Sequence, residues 1–128
     1  MPIVVHHPVQ YVNHNKKGTG ECAALPQEIL GLARCLNTWR WKRGARVMDT
    51  KGLMPGTVIA TFNSNGDYHY VKGEHLAHTA LYVSHDDKGI VVVHQHTKIS
   101  KIQQHKYYVG PQVNYVQSAD NYYVVEIK

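Results

Sequence analysis

Residues 78–96, HTALYVSHDDKGIVVVHQH, contain two runs typical of β-strands, joined by a turn, and this pattern decides the fold. The runs HTALYVS (78–84) and GIVVVHQH (89–96) are rich in β-branched and aromatic residues. The HDDKG between them carries turn-forming residues. The stretch therefore predicts an antiparallel hairpin. A turn centred on Asp86 would set His94 directly opposite His78, because opposed residues in a hairpin have a constant index sum.

Similar runs on both sides of this hairpin extend the predicted sheet. They are GTVIATF (56–62), a weaker KISKIQQ (98–104), QVNYV (112–116) and NYYVVEI (121–127). Nearer the N-terminus, the segment 21–36 has apolar residues at three- and four-residue intervals, which is typical of an amphipathic helix. These residues are Leu25, Ile29, Leu32 and Leu36. The segment WRWKRGARV (39–47) is expected to be a basic connector. We predict an α+β fold, with the helix packed on a curved antiparallel sheet.

Length and charge limit the classes of protein to consider. A chain of 128 residues fits one domain, residues 1–128. The net charge of +5, with ten further histidines, suits an anionic partner such as nucleic acid, an acidic membrane or the bacterial envelope. No run approaches the roughly 20 apolar residues of a membrane span. The first residues do not predict a signal peptide.

The two cysteines occupy different positions on the predicted helix. Cys22 follows a Gly-Thr-Gly turn and opens the helix, where unpaired N–H groups favour a thiolate and the Cys22 N–H could stabilise an oxyanion. The alternative is a small buried residue that begins a helix. Cys35 lies among leucines, which indicates core packing. Thirteen residues of one helix separate the cysteines by about 20 Å, too far for a disulfide. Pro26 is tolerated only in a first turn, so either the helix begins close to Cys22 or its first turn is distorted there, and both options leave Cys22 at the helix N-terminus.

The base for such a thiol is expected on another element, because nucleophile and base meet in space. His78 is the candidate, since it precedes an apolar strand in a hairpin that also carries His94. His94 could hold the His78 ring in the productive tautomer. A turn shifted by one residue would present Gln95 instead, and His96 lies one step along the same face. The default for the remaining candidates is an ordinary surface histidine: His6, His7, His14, His69, His85 and His105.

The order of these motifs resembles that of the NlpC-type, papain-like cell-wall amidases, which have a cysteine at a helix start and a histidine at a strand start. The chain is more closely similar to the amidase effectors of type VI secretion. Among these it resembles the second family, which also has secreted homologues acquired by animals. The motifs that carry the resemblance, over about residues 18–108, are GECAALPQ, WKRGARV, GTVIATF, the NGDY turn, HTALYV and GIVVVHQ.

The resemblance implies a cysteine amidase with Cys22 as nucleophile, His78 as base and His94 as the orienting third residue. It implies hydrolysis of peptidoglycan at the D-alanine to diaminopimelate cross-link, with no cofactor or metal. The implied location is outside the producing cell, either secreted or delivered to the periplasm or cell wall of a target bacterium. The expected partners are peptidoglycan and a cognate immunity protein, and we expect a monomer. Related sequences often have an acidic residue at the position of His94.

Two other classes of function compete with the enzyme. A histidine-rich metal-binding protein is the main alternative, because His94 with His96, and His75 with His78, are plausible ligand pairs. These histidines are dispersed in sequence, whereas structural zinc sites usually use cysteine or a compact four-ligand cluster. A nucleic-acid-binding domain is suggested by the pI near 9.2. It is not expected, since the sequence has no recognisable basic helix, RNP-like strand or zinc motif.

Overall fold

Antiparallel pairing joins six strands into one sheet within residues 2–75 and 77–127, the part of the chain that the computed structural model describes. The strands are β1 (Trp41–Arg46), β2 (Val58–Ala60), β3 (Thr79–Asp86), β4 (Gly89–His94), β5 (Gln103–Tyr108) and β6 (Tyr123–Ile127). Their order in the sheet is β1-β6-β2-β3-β4-β5. Two short helices, α1 (Ala24–Leu30) and α2 (Leu32–Cys35), precede the strands. The predicted α+β class is confirmed.

Apolar side chains cover both faces of the sheet, because successive strand residues point to opposite sides. Leu81 belongs to the cluster that includes Leu25 of α1. Its neighbour Ala80 belongs to a second cluster, which also contains Tyr107 and Tyr122. Burial on both faces explains why the strand sequences are apolar runs rather than strict alternations. Within the described residues, no helix combines the length and apolarity needed to cross a bilayer.

The N-terminal helix is shorter than the apolar stripe predicted. α1 ends at Leu30, because Gly31 has a φ of 77°, outside the helical region. Leu32, predicted to lie on the stripe, is 58% exposed, so the stripe prediction is wrong beyond Gly31. A helical repeat cannot continue in phase across a residue that leaves the helical conformation. Pro26 is the third residue of α1, where its missing N–H removes no helical hydrogen bond.

The segment 39–47 contains strand β1, so its prediction as a connector was wrong. Trp41 is fully buried and pairs with Ile127 of β6, and Arg43 pairs with Val125. The central glycine is required here, because a Cβ on Gly44 would lie 2.7 Å from the backbone carbonyl oxygen of Val124. Basic residues and a glycine are uncommon in strands, so the local pattern did not reveal this one.

Two of the predicted strands are also misplaced. A strand was predicted at KISKIQQ (98–104), but the strand in this region, β5, begins at Gln103 and ends at Tyr108. The QVNYV run (112–116) is not a strand: Val113 is fully exposed, and Tyr115 begins a 3-10 turn. β-branched and aromatic residues favour strands where they pack against a neighbouring strand, and no strand in the described part of the chain pairs with this run.

The turn between β3 and β4 is tighter than the five-residue link expected from the sequence. Asp86 pairs with Gly89, which leaves only Asp87 and Lys88 in the loop. The Asp86 carboxylate accepts hydrogen bonds from the amides of Lys88 (2.9 Å) and Gly89 (3.1 Å). The turn is therefore centred one to two residues beyond Asp86.

The register of the hairpin differs accordingly from the prediction. An irregularity in β3 shifts the pairing, and beyond it Leu81 pairs with Val93. Continued along the strands, this register sets His94 across from Ala80 rather than His78. The prediction that His94 and His78 are directly opposed was therefore wrong. They are instead diagonal neighbours on one face, a separation that ring side chains can bridge.

Candidate active site

Cys22 lies in a turn directly before α1 and lines a cavity of about 590 Å³. The turn is closed by hydrogen bonds from the Ala24 amide to the Glu21 carbonyl (3.1 Å) and from the Leu25 amide to the Cys22 carbonyl (3.3 Å). The thiol is half-buried and not in a disulfide. Within the described residues, no hydrogen bond uses the Cys22 amide. Both the thiol and this N–H can therefore serve a bound molecule.

Cys35 has a different environment. It is fully buried in the core, and burial raises the pKa of its thiol to about 11. Its carbonyl accepts a hydrogen bond from the indole Nε1–H of Trp41 (3.0 Å). The expectation of core packing is confirmed, and the two thiols are free, as expected.

His78 lies immediately before β3, and its side chain lines the same cavity as Cys22. Its backbone is fixed on both sides by Thr61. The His78 amide donates to Thr61 Oγ1 (3.0 Å), and the Thr61 amide donates to the His78 carbonyl (2.9 Å). The strand start thus places the His78 ring at the cavity with little backbone freedom.

The ring of His78 is paired with that of His94. The His78 Nε2 lies 3.0 Å from the His94 Nδ1, and the ring planes are nearly perpendicular at 89°. The His94 Nδ1 is also 2.8 Å from the Tyr107 hydroxyl. On its other side, His94 stacks on His105 at a centroid distance of 5.1 Å. His105, expected at the surface, is therefore half-buried and packs against the paired rings.

Both paired rings are neutral near pH 7. Burial, with the nearby His96 and His105 rings, lowers the pKa of His78 to about 4. Burial, with the same two rings and His78, lowers the pKa of His94 to about 3. Because Nε2 of His78 is used by His94, its Nδ1 is the nitrogen left for a molecule in the cavity. A neutral imidazole in this orientation can accept a proton there.

Gln95 and His96, the other candidates for the residue that orients His78, make no hydrogen bond to its ring. Gln95 is fully buried, and its amide bonds to the backbone of Lys17 and Glu21 rather than to His78. His96 lines the cavity, but its ring centroid is 6.1 Å from that of His78, without a hydrogen bond between them. Of residues 94–96, His94 is therefore the one bonded to the His78 ring.

Tyr68 belongs to the site and was missed by sequence reasoning. Its hydroxyl lies 3.4 Å from the Cys22 Sγ, and its ring lines the cavity. The preceding turn is held by Asn63, whose side-chain oxygen accepts the amides of Asn65 (2.9 Å) and Asp67 (3.0 Å). The NSNGD turn signal was visible in the sequence, but nothing local indicated that the next residue would reach the cysteine.

The histidine pairs proposed as metal ligands are used in other ways. His78 and His94 direct ring nitrogens at each other, and the His75 Nε2 bonds to the Phe62 carbonyl (3.0 Å). Within residues 2–75 and 77–127, no three His, Cys, Asp or Glu side chains converge as a metal site would require. The geometry gives no support to the alternative of a histidine-rich metal-binding protein.

Comparisons with known proteins show the family and the fold of the chain. The family model "Domesticated amidase effector 2" matches residues 2–125, almost the whole chain. The fold is similar to a solved structure described as "Type 6 secretion amidase effector 2", with a TM-score of 0.80 and 24% sequence identity. That match covers 98% of this chain and 94% of the other. No curated protein matches the chain. Because this family model covers almost the whole chain, the chain belongs to the domesticated amidase effector 2 family.

Proposed function

We propose that this amidase is a cysteine hydrolase that cleaves a peptide bond of bacterial peptidoglycan, with Cys22 as nucleophile and His78 as base. The observation that carries the proposal is the shared cavity: Cys22 and His78 both line it, and His94 holds the far nitrogen of the His78 ring. A thiol and a neutral imidazole that line one cavity are the two groups that acyl transfer through a thioester requires.

The chemistry follows from the orientation of the His78 ring. For Nδ1 to accept a proton, Nε2 must carry the ring hydrogen and donate it to the His94 Nδ1. In this tautomer His78 takes the Cys22 proton as sulfur attacks the substrate carbonyl. It then gives that proton to the departing amine, and a thioester remains on Cys22. Finally, His78 activates a water molecule that hydrolyses the thioester and restores the thiol.

Two donors are placed to stabilise the oxyanion that forms during the attack. The Cys22 amide makes no hydrogen bond within the described part of the chain, and the Tyr68 hydroxyl lies 3.4 Å from the sulfur. Burial raises the pKa of Tyr68 well above its usual value, so the hydroxyl keeps its proton and can donate it. Donors that face the charge developing on a substrate oxygen contribute strongly to catalysis.

The family suggests where this chemistry acts. Amidase effectors of the type VI secretion system are delivered to a competing cell, and the motifs of this chain resemble theirs. We propose the D-alanine to diaminopimelate cross-link as the target bond and the periplasm or cell wall of a target bacterium as the place of action. The net charge of +5 suits the anionic cell wall. A cognate immunity protein and a monomeric state remain part of the proposal.

The test is a digestion of purified sacculi that contain diaminopimelate, followed by identification of the muropeptides by mass. Cleavage of the cross-link should convert dimers into monomers with the gain of one water per bond. The Cys22→Ala variant provides the matched control. Equal digestion by this variant would contradict the cysteine mechanism. Release of free stem peptides from the glycan strands, with dimers unchanged, would contradict the proposed bond.

A further inference from the structure

The side chain of Gln95 connects the end of β4 to the loop that precedes Cys22. Its Oε1 accepts the amide of Lys17 at 2.7 Å. Its Nε2 donates to the carbonyl of Lys17 at 2.9 Å and to the carbonyl of Glu21 at 2.7 Å. Both hydrogens and one lone pair of the amide are therefore engaged. The residue is fully buried, so water cannot replace these bonds.

The loop that receives these bonds has no regular structure of its own. This loop, residues 16–23, directly precedes α1 and contains no helix or strand. It is called the nucleophile loop because it contains Cys22. The Glu21 carbonyl that Gln95 holds belongs to the residue next to Cys22. A second contact joins the same two segments, because the Lys16 ammonium donates to the His96 carbonyl at 3.2 Å. The end of β4 is thus the surface on which the nucleophile loop rests.

His94 and Gln95, adjacent at the end of β4, contact different parts of the site: the His78 ring and the loop that contains Cys22. Successive residues in an extended segment point to opposite sides. His94 therefore reaches the His78 ring on one side, and Gln95 reaches the backbone beside Cys22 on the other. The single peptide link from His94 to Gln95 therefore connects the residue bonded to His78 with the residue bonded to the backbone next to Cys22.

We propose that Gln95 is a positioning residue. It sets the distance of Cys22 from His78 by fixing residues 17–21 of the nucleophile loop on the end of β4. This inference rests on the proposed roles of Cys22 and His78. It gives Gln95 a role through the loop backbone, distinct from contact with the His78 ring. A displacement of about 1 Å between reacting groups can lower a rate by about 100-fold. Loss of the three hydrogen bonds should therefore reduce turnover more than substrate binding.

The test compares Gln95→Met, which keeps the length of the side chain but removes its hydrogen bonds, with two controls. Val124→Ala removes buried apolar volume in β6, so it lowers stability without removing any hydrogen bond of Gln95. Gln104→Met makes the same chemical change at an exposed position of β5. Assays are run well below the thermal transition of each variant. Gln95→Met should lower kcat about 10- to 100-fold, with KM within about twofold, whereas both controls keep kcat.

Two measurements without peptidoglycan separate this inference from the proposed function. The Lys17 amide should exchange its hydrogen faster in Gln95→Met than in Val124→Ala, because it has lost its acceptor. The rate of Cys22 alkylation near pH 7 should change by about threefold or more in Gln95→Met and stay unchanged in both controls. If sacculi are not digested but both of these effects occur, the loop role stands and the proposed substrate fails.

The inference is overturned if Gln95→Met keeps the kcat of the parent. It is equally overturned if Val124→Ala, with a melting temperature as low as that of Gln95→Met, loses as much kcat, because the loss would then follow from lower stability. Unchanged Lys17 exchange together with unchanged Cys22 alkylation also overturns it. If Gln95→Met does not fold, Gln95→Glu provides the second variant. It keeps an acceptor for Lys17 but sets a carboxylate against two carbonyls, so it should show the same selective loss of kcat.

Discussion

The His78 Nε2 lies 3.0 Å from the His94 Nδ1, and neither ring is charged near neutral pH. The pair differs from a histidine held by a carboxylate, because His94 can fix the tautomer of His78 without supplying a negative charge. An imidazolium formed on His78 during catalysis is then stabilised less than it would be by an aspartate.

The first prediction concerns the nucleophile. Cys22→Ala should lower digestion of sacculi by about three orders of magnitude or more while the fold remains, since no other group forms the thioester. In the parent, iodoacetamide should label Cys22 before Cys35, whose thiol is buried with a pKa of about 11. Peptide mapping by mass spectrometry measures both sites. Faster labelling of Cys35, or full activity of Cys22→Ala, would contradict the assignment.

The second prediction concerns the base. His78→Ala should reduce kcat by about 100- to 10,000-fold, the usual contribution of a positioned general base. His85→Ala is the matched control, because its ring bonds to the Tyr82 hydroxyl and does not line the cavity. Steady-state digestion of a purified cross-linked muropeptide measures both variants. Similar losses in the two would show that removal of a histidine is damaging in itself.

The third prediction concerns His94. His94→Ala should cut activity substantially but less than His78→Ala, since the base remains and only its orientation is lost. His94→Asp, which replaces the imidazole by a carboxylate, should keep or regain activity by stabilising the imidazolium. Tyr107→Phe should retain more activity than His94→Ala, because the His94 Nδ1 can still accept from His78. Parental activity in His94→Ala, with a crippled His96→Ala, would move the third role to His96.

The fourth prediction concerns Tyr68. Tyr68→Phe removes the hydroxyl beside the sulfur and keeps the ring that packs on Trp41 at a centroid distance of 5.0 Å. If the hydroxyl stabilises the oxyanion, kcat should fall by about 100-fold with little change in KM. Tyr70→Phe, at an exposed position, is the control. A rise in KM with kcat unchanged would instead make Tyr68 a substrate-binding residue.

The fifth prediction concerns stability against pH. The folded-state pKa values of His78 and His94, about 4 and about 3, lie below the unfolded value near 6.5. The unfolded chain therefore binds protons first as pH falls. Each ring should lower the free energy of unfolding by up to about 1.4 kcal/mol per pH unit from pH 6.5 down to its folded pKa. Urea unfolding at several pH values gives the free energy of unfolding as a function of pH. Below pH 6.5 this free energy should fall less steeply with decreasing pH in His94→Asn than in the parent.

Local patterns in the sequence were sufficient for the main elements. The runs in 78–96 predicted the β3–β4 hairpin, because apolar and β-branched residues there are buried on both faces of the sheet. The helix start near Cys22 was indicated by the turn before it and by Pro26. β1 was not predicted, since its stability comes from pairing with β6, about 80 residues away in sequence. Pairing of that kind leaves no local signature.

The sequence by itself determined that the chain has an α+β fold, that Cys35 packs in the core while Cys22 precedes a helix, and that polar residues end the second strand of the hairpin. Tertiary structure decided which polar residue meets His78. An irregularity in β3 and a two-residue turn changed the register, and each one-residue step in register exchanges the faces of a strand. Tertiary structure also brought the Tyr68 hydroxyl to Cys22, 46 positions away in the chain. It brought the Gln95 amide to Lys17 and Glu21, 78 and 74 positions away, and contacts over such separations leave no local pattern.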